Sequence, residues 1–204
     1  MALANYTDLK ASIATWMPRA DLTTQIPDCI TLAEGDFNNK LRTLEMETRA
    51  NLTITGEYVT APNDFREFRT GYVGSSPRRE LRYLSPDAQT RTDGPNNSRS
   101  CGAVYFSLAG NSFRFDPPPT SLPVDAVIVY YASIPPLALN ATNWLLTKQP
   151  QLYLMASLFW CSVLIKDAES AQQYKGLYES LLAEANAASK RTRWSGPGMQ
   201  MRAA

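Results

Sequence analysis

The hydrophobic periodicity of this chain changes twice, and these changes limit the folds that it can adopt. Apolar residues recur every three or four positions over residues 6–17 and 24–41, as one face of a helix requires. Between residues 50 and 134 they alternate or form short β-branched runs, and helical spacing returns after residue 143. An amphipathic helix has to bury its apolar face against another element. The order of the patterns therefore predicts an α+β fold.

The predicted architecture is a helical bundle from the N- and C-terminal helices, with an inserted antiparallel β module and an extended C-terminal tail. We expect a helical hairpin over residues 1–49, the β module over 50–134, the C-terminal helices over 135–192 and the tail over 193–204. These boundaries follow the changes of period and the Gly and Pro residues that stop the last helical pattern.

Local signals refine the helices. Asn5 is the expected N-cap of the first helix and Pro18 its stop, while the second helix begins near Thr24 and a third is capped by Thr142 or Asn143. The side chains expected to face the core are Leu9, Ile13, Trp16, Met17, Ile26, Ile30, Ala33, Phe37, Leu41, Tyr174, Leu177, Tyr178, Leu181, Leu182 and Ala185. Residues 152–165 are apolar on nearly all faces, which fits either a central core helix or a helix partly buried by a neighbouring subunit.

The strand region carries two hairpin signals, one at Gly56 and one at Gly110-Asn111. Residues 126–132 are strongly β-forming and predict a central strand. Further strands are expected over residues 65–73 and 79–83, and one short helical turn near residues 85–89. The small and polar residues 90–102 predict a long exposed loop.

Composition limits the chemistry. The chain has 204 residues, a net charge of +1 and no histidine, so it lacks the commonest general base and metal ligand. We expect no catalytic residues, no cofactor and no metal. Cys29 and Cys161 lie in apolar helical patterns and are interpreted as small core residues, which with Cys101 fits a reducing, intracellular site of folding. No signal peptide or membrane span is expected, since the longest apolar stretch is too short.

Parts of the sequence are also compatible with two other functions. The neighbouring acids Glu45 and Glu47, or Asp64 and Glu67, could form a carboxylate pair of the kind that cleaves glycosidic bonds in cell walls. The β module is also rich in arginine, at positions 66, 69, 78, 79, 82, 91, 99 and 114. Aromatic residues lie among these arginines, as in single-strand binders, but nearby acids almost balance their charge. This pattern favours a polar protein–protein surface over a nucleic-acid site.

The C-terminal tail combines large apolar side chains with a backbone that cannot remain helical. Its candidate partner-docking residues are Arg193, Trp194, Met199, Met201 and Arg202. Left exposed, the Trp and Met side chains would each forgo roughly 1.5–3 kcal/mol of burial free energy. We interpret the tail as a docking element, although a frayed terminus is the alternative.

Several blocks, in order along nearly the whole chain, carry a resemblance to a known family. They are YTDLK at 6–10, DLTTQIPD at 21–28, METR at 46–49, LTITG at 52–56, APNDF at 61–65, NWLL at 143–146, PQLYL at 150–154 and RWSG at 193–196. Together they resemble the adaptor, or head-to-tail connector, proteins of tailed bacteriophages. The match is weakest over residues 74–102.

This resemblance implies a structural virion protein, not an enzyme. Such adaptors form a ring, typically of twelve copies, beneath the portal, where they seal the DNA-filled head and offer a platform for the tail nozzle or tube. DNA passes through the lumen without specific binding during ejection. The C-terminal segment extends onto the portal, so the resemblance gives the portal-docking role to Arg193, Trp194, Met199, Met201 and Arg202. The expected location is the virion neck, after synthesis in the host cytoplasm.

Overall fold

The computed structural model describes residues 3–17, 19–91, 103–115 and 122–193. Within them the chain forms six α-helices and a seven-stranded β-sheet, which confirms the mixed α and β class. The chain divides into two units. We call residues 1–45 and 134–204 the helical unit, and residues 46–133 the β unit.

The helical unit begins with α1 (Tyr6–Trp16) and α2 (Ile26–Lys40). Asn5 caps α1 as predicted, because its side-chain oxygen accepts a hydrogen bond from the Asp8 N–H at 2.9 Å. The helix α2 begins slightly later than the predicted Thr24, with a proline in its first turn.

Three further helices complete this unit: α4 (Trp144–Lys148), α5 (Pro150–Leu164) and α6 (Ala168–Arg193). Asn143 is the cap of α4, since its side-chain oxygen accepts the Leu146 N–H at 2.9 Å. The helix α5 packs against α1, α2, α4 and α6, so it is the central helix of the unit.

Two predicted core residues of the helices lie on the surface instead. Trp16 is 52% exposed and Leu177 is 54% exposed, whereas Tyr178 and Ala185 of α6 are buried as expected. The helical period identifies the apolar stripe correctly, but it overestimates how much of that stripe the other helices of the subunit cover.

The β unit contains one sheet and one short helix. Its strands are β1 (Glu47–Ile54), β2 (Tyr58–Thr60), β3 (Phe65–Val73), β4 (Arg79–Tyr83), β5 (Ala103–Ala109), β6 (Ser112–Arg114) and β7 (Val124–Ala132). The order in the sheet is β1-β7-β3-β4-β5-β6-β2. The predicted central strand, β7, is paired on both sides, although it is second in this order. The helix α3 (Pro86–Arg91) confirms the expected helical turn. Residues 92–102 of the predicted loop lie outside the described residues.

The pairing of the strands corrects two predictions. The hairpin at Gly110-Asn111 is confirmed by the antiparallel β5–β6 pair, but the hairpin at Gly56 is wrong, because β1 pairs with β7 and β2 pairs with β6. The module is also not wholly antiparallel, since β4 and β5 run parallel. A parallel pair needs a long crossover, and the segment that contains α3 supplies it.

Aromatic rings fill the core of the β unit. Phe106 is buried and lies 4.7 Å from the ring of Phe68 and 5.6 Å from that of Phe113, in edge-to-face geometry. The sheet curls, so that its edge strands β1 and β2 contact each other. The curl lets one face of a single sheet enclose its own apolar core.

Candidate functional site

The candidate docking tail follows directly on α6. Arg193 is the last residue of that helix, at the end of a basic final turn that suits the negative end of the helix dipole. The other four predicted docking residues, Trp194, Met199, Met201 and Arg202, lie outside the described residues. The structure therefore shows where the tail begins, and the docking role of its side chains stays a prediction.

Two polar side chains near the end of α6 hold this helix to the segment that follows α2. Asn186 accepts the Arg42 N–H at 2.9 Å and donates to the Lys40 carbonyl at 3.1 Å, and Ser189 accepts the Leu44 N–H at 2.9 Å. They satisfy backbone groups just after α2, where the helical ladder has ended. Sequence reasoning missed both residues, although their spacing of three places them on one helix face.

A groove runs beside the C-terminal half of α6, at the corner between α4 and α5. One part encloses about 250 Å³ and is lined by residues 148–152 together with Leu181, Glu184, Ala185 and Ala188. The other encloses about 120 Å³, and Ala185 and Ala188 line it too. Small side chains on α6 thus leave room beside the helix close to the beginning of the tail.

Two charged residues of this corner form an ion pair. The Lys148 ammonium lies 2.6 Å from the Glu45 carboxylate. Burial raises the pKa of Glu45, but hydrogen bonds, above all from Lys148, outweigh it and hold the pKa below its usual value. Glu45 therefore remains ionised at neutral pH and is engaged by a cation. A carboxyl group held in this state is unsuited to act as a general acid.

The other candidate acids also have structural partners. Glu47 forms an ion pair with Arg69, and Asp64 accepts a hydrogen bond from the Tyr130 hydroxyl at 2.8 Å. Burial and this hydrogen bond raise the pKa of Tyr130 to about 12. Glu47 and Asp64 are thus each held by a side chain of the same sheet.

Large apolar side chains are exposed on the helical unit. They are Trp16, Leu32, Leu139, Val163, Leu164 and Leu177. Val163 and Leu164 end α5 and Leu177 lies on α6, so two helices that pack together each present aliphatic surface to solvent. Contiguous exposed apolar surface marks sites of protein association.

Several arginines of the β unit have partners within it. Arg82 pairs with Glu80 at 2.9 Å, Arg114 with Glu57 at 2.7 Å, and Arg78 lies over the Tyr72 ring at 4.6 Å. Arg99 lies outside the described residues. An arginine that is paired with a carboxylate offers less unneutralised charge for phosphate binding.

Among the residues that the structure describes, no group of three or more Cys, Asp or Glu side chains is arranged to hold a metal ion. No described helix combines the length and apolar character that a membrane span requires.

A protein-family model matches nearly the whole chain. The model of the family described as SU10 adaptor protein matches residues 4–201. No curated protein matches the chain. The matched range includes both units and reaches into the tail, and it confirms the resemblance to phage adaptor proteins found in the sequence.

Proposed function

We propose that this chain, which belongs to the SU10 adaptor protein family, forms the ring that joins the portal of a tailed phage to its tail. A phage adaptor is a structural component of the virion. In the proposed role about twelve copies, as the resemblance implies, close the DNA-filled head and provide the platform on which the tail nozzle or tube assembles. The family match over residues 4–201 carries this proposal.

The helices of the N- and C-terminal segments form the bundle that packs side by side around the proposed ring. The exposed aliphatic side chains Val163, Leu164 and Leu177 support this assignment, because a subunit contact would bury them. Burial of one such side chain contributes roughly 1.5–3 kcal/mol, and a ring repeats the contact at every subunit.

The tail docks on the portal in this proposal. Trp194, Met199 and Met201 supply the apolar anchors, and Arg193 and Arg202 pair with acidic groups of the portal. Ordering the tail costs free energy, so one tail binds weakly. A ring of tails binds strongly, because once the first is bound the others are held at high local concentration. Attachment therefore follows ring closure.

The docking role is tested by deleting residues 194–204, which leaves every described helix intact. We expect normal helix content by circular dichroism and normal self-association, with at least about tenfold weaker binding to purified portal rings. Native mass spectrometry of the adaptor alone and with portal measures both properties. Normal portal binding by the truncated protein would show that the tail is not the docking element.

The ring contact is tested separately by Leu177→Glu. A charge placed in a buried contact should abolish self-association at concentrations where the unaltered protein assembles. Leu122→Glu is the matched control, because Leu122 is an exposed leucine of the β unit. Equal assembly of the two variants would show that α6 does not lie in the subunit contact.

A further inference from the structure

Two cysteines of the helical unit have no part in the proposed adaptor function. Cys29 lies on α2 and Cys161 on α5, and both are buried, with 2% and 1% of their surfaces exposed. Both are free thiols. Their side chains are hydrogen-bonding neighbours across the contact between the two helices. Two cysteines far apart in the sequence are thus brought together by packing.

We propose that Cys29 and Cys161 form a disulfide that joins α2 to α5 when the protein meets a peroxide oxidant. A peroxide is no larger than a few heavy atoms, so it can reach a buried sulfur through local opening of the helices. This inference concerns the internal chemistry of the helical unit and is independent of the adaptor assignment.

The reaction proceeds in two balanced steps. The thiolate of one cysteine attacks one oxygen of hydrogen peroxide, the O–O bond breaks, and that cysteine becomes a sulfenic acid as water leaves with the thiol proton. The sulfur of the other cysteine then attacks the sulfenic sulfur, and the sulfenic oxygen leaves as water with the second thiol proton. The two thiols are oxidised by two electrons, which reduce the peroxide to two water molecules.

The two thiols share one hydrogen bond in a buried site. The hydrogen bond with Cys161 lowers the pKa of Cys29, against the effects of burial and of the Asp28 charge. The same hydrogen bond, together with burial, raises the pKa of Cys161. Because both sulfurs are buried at the same helix contact, either one can react first and the other then completes the disulfide.

The bond would constrain the unfolded chain strongly. The loop that it closes runs from position 29 to position 161 and contains the whole β unit. A disulfide that closes a long loop removes much of the conformational entropy of the unfolded state. We expect the oxidised protein to unfold roughly 5–15 °C higher than the reduced protein.

The experiment uses the full chain with Cys101→Ser, so that only the buried pair can react. The folded protein is treated with hydrogen peroxide, blocked with iodoacetamide under denaturing conditions and digested for mass spectrometry. The expected product is a peptide pair joining Cys29 to Cys161, in a protein that stays monomeric on non-reducing gels and unfolds at a higher temperature. If the pair remains reduced, or each sulfur is oxidised separately, the proposal is wrong.

Single variants test the pairing. In Cys161→Ala and in Cys29→Ala the remaining thiol has no partner, so peroxide should leave it as a sulfenic acid that dimedone traps, with no rise in the unfolding temperature. Serine variants at both positions provide a second set in case an alanine variant fails to fold. An equal rise in unfolding temperature in the single variants would overturn the proposal.

Discussion

The two units bury different kinds of side chain. Among the described residues, the buried polar side chains of the helical unit are Ser12, Glu34, Thr43, Asn143, Ser157, Ser162 and Ser189, whereas the β unit buries only Ser107. The core of the β unit is formed by aromatic and aliphatic side chains of the sheet. The β unit is thus stabilised by apolar packing. The helical unit adds to its core a hydrogen-bond network formed by Glu34, Asn143 and Tyr153.

This network binds an irregular segment of the chain. Residues 134–143 connect β7 to α4 without regular structure, so their backbone groups need partners. Glu34 of α2 accepts the Leu137 N–H at 2.8 Å and a hydrogen bond from the Tyr153 hydroxyl at 3.2 Å. Asn143 donates to the same Tyr153 oxygen at 2.7 Å and to the Pro135 carbonyl at 2.8 Å. Side chains of α2 and α5 therefore hold an irregular segment in one conformation, which apolar contacts alone would not specify.

The largest predicted effect on stability comes from a substitution at the centre of the aromatic core of the β unit. Phe106→Ala should destabilise the β unit by about 3–5 kcal/mol, because a fully buried ring and its edge-to-face contacts are lost. Phe37→Ala is the matched variant of the helical unit, where Phe37 is 0% exposed and lies 4.9 Å from the Tyr153 ring. Hydrogen exchange followed by mass spectrometry measures which strands or helices lose protection in each variant.

Each substitution should increase exchange mainly in its own unit, since each unit has a core of its own. Tryptophan emission gives a second measurement, because all four tryptophans lie outside the β unit. Equal loss of protection throughout the chain in both variants would show that the two cores unfold as one cooperative structure.

A close approach of backbone and side chains makes Gly71 the next most sensitive position. An added Cβ would lie 2.8 Å from the Val127 carbonyl oxygen of β7 and 3.0 Å from the Leu81 side chain. Gly71→Ala should therefore destabilise the protein by about 1–3 kcal/mol in urea unfolding. Gly56→Ala is the control in the same unit, since nothing lies within 4 Å of its added Cβ. Equal midpoints for the two variants would mean that β3 and β7 can separate without cost.

The sequence predicts those features that depend on neighbouring residues. The caps Asn5 and Asn143 are confirmed because capping joins atoms a few residues apart. The hairpin at Gly56 is wrong because a turn signal does not determine which strands pair, and the partners of β1 and β2 are chosen by packing along distant strands.

The features that the sequence does not predict depend on contacts between residues far apart in the chain. Glu34 meets residues more than a hundred positions away, so no local pattern identifies it as the centre of a network. Leu177 belongs to a correct helical stripe, but the stripe does not reveal how much of it other helices cover. For the candidate site, the structure shows where α6 ends and how Asn186 and Ser189 hold that helix to the segment after α2. The roles of the tail residues remain predictions.

The charge on Glu34 gives the helical unit a pH dependence. Burial raises the pKa of Glu34 above its usual 4.5, and the hydrogen bonds from Leu137 and Tyr153 only partly offset this. Because the folded-state pKa is the higher one, the stability linked to this group is fully present below the unfolded pKa and is lost as pH rises through the folded pKa.

Glu34→Gln keeps an oxygen acceptor without the charge. Its stability relative to the unaltered protein should therefore rise between about pH 4 and pH 7, by roughly 1 kcal/mol, the scale of one buried hydrogen bond. Urea unfolding followed by tryptophan emission at several pH values measures the change. A constant difference across this range would mean that Glu34 does not titrate differently in the two states.

The smallest predicted effect has the opposite sign to that of Gly71→Ala. Gly176 is exposed within α6, and nothing lies within 4 Å of an added Cβ. Gly176→Ala should stabilise the helical unit by about 0.5–1 kcal/mol, because alanine loses less backbone freedom on entering a helix. Urea unfolding of dilute protein measures this gain in single subunits, and Gly35→Ala, at an equally open position of α2, is expected to match it. A loss of stability for Gly176→Ala in dilute protein would contradict the prediction, since the added Cβ meets no atom of the described chain.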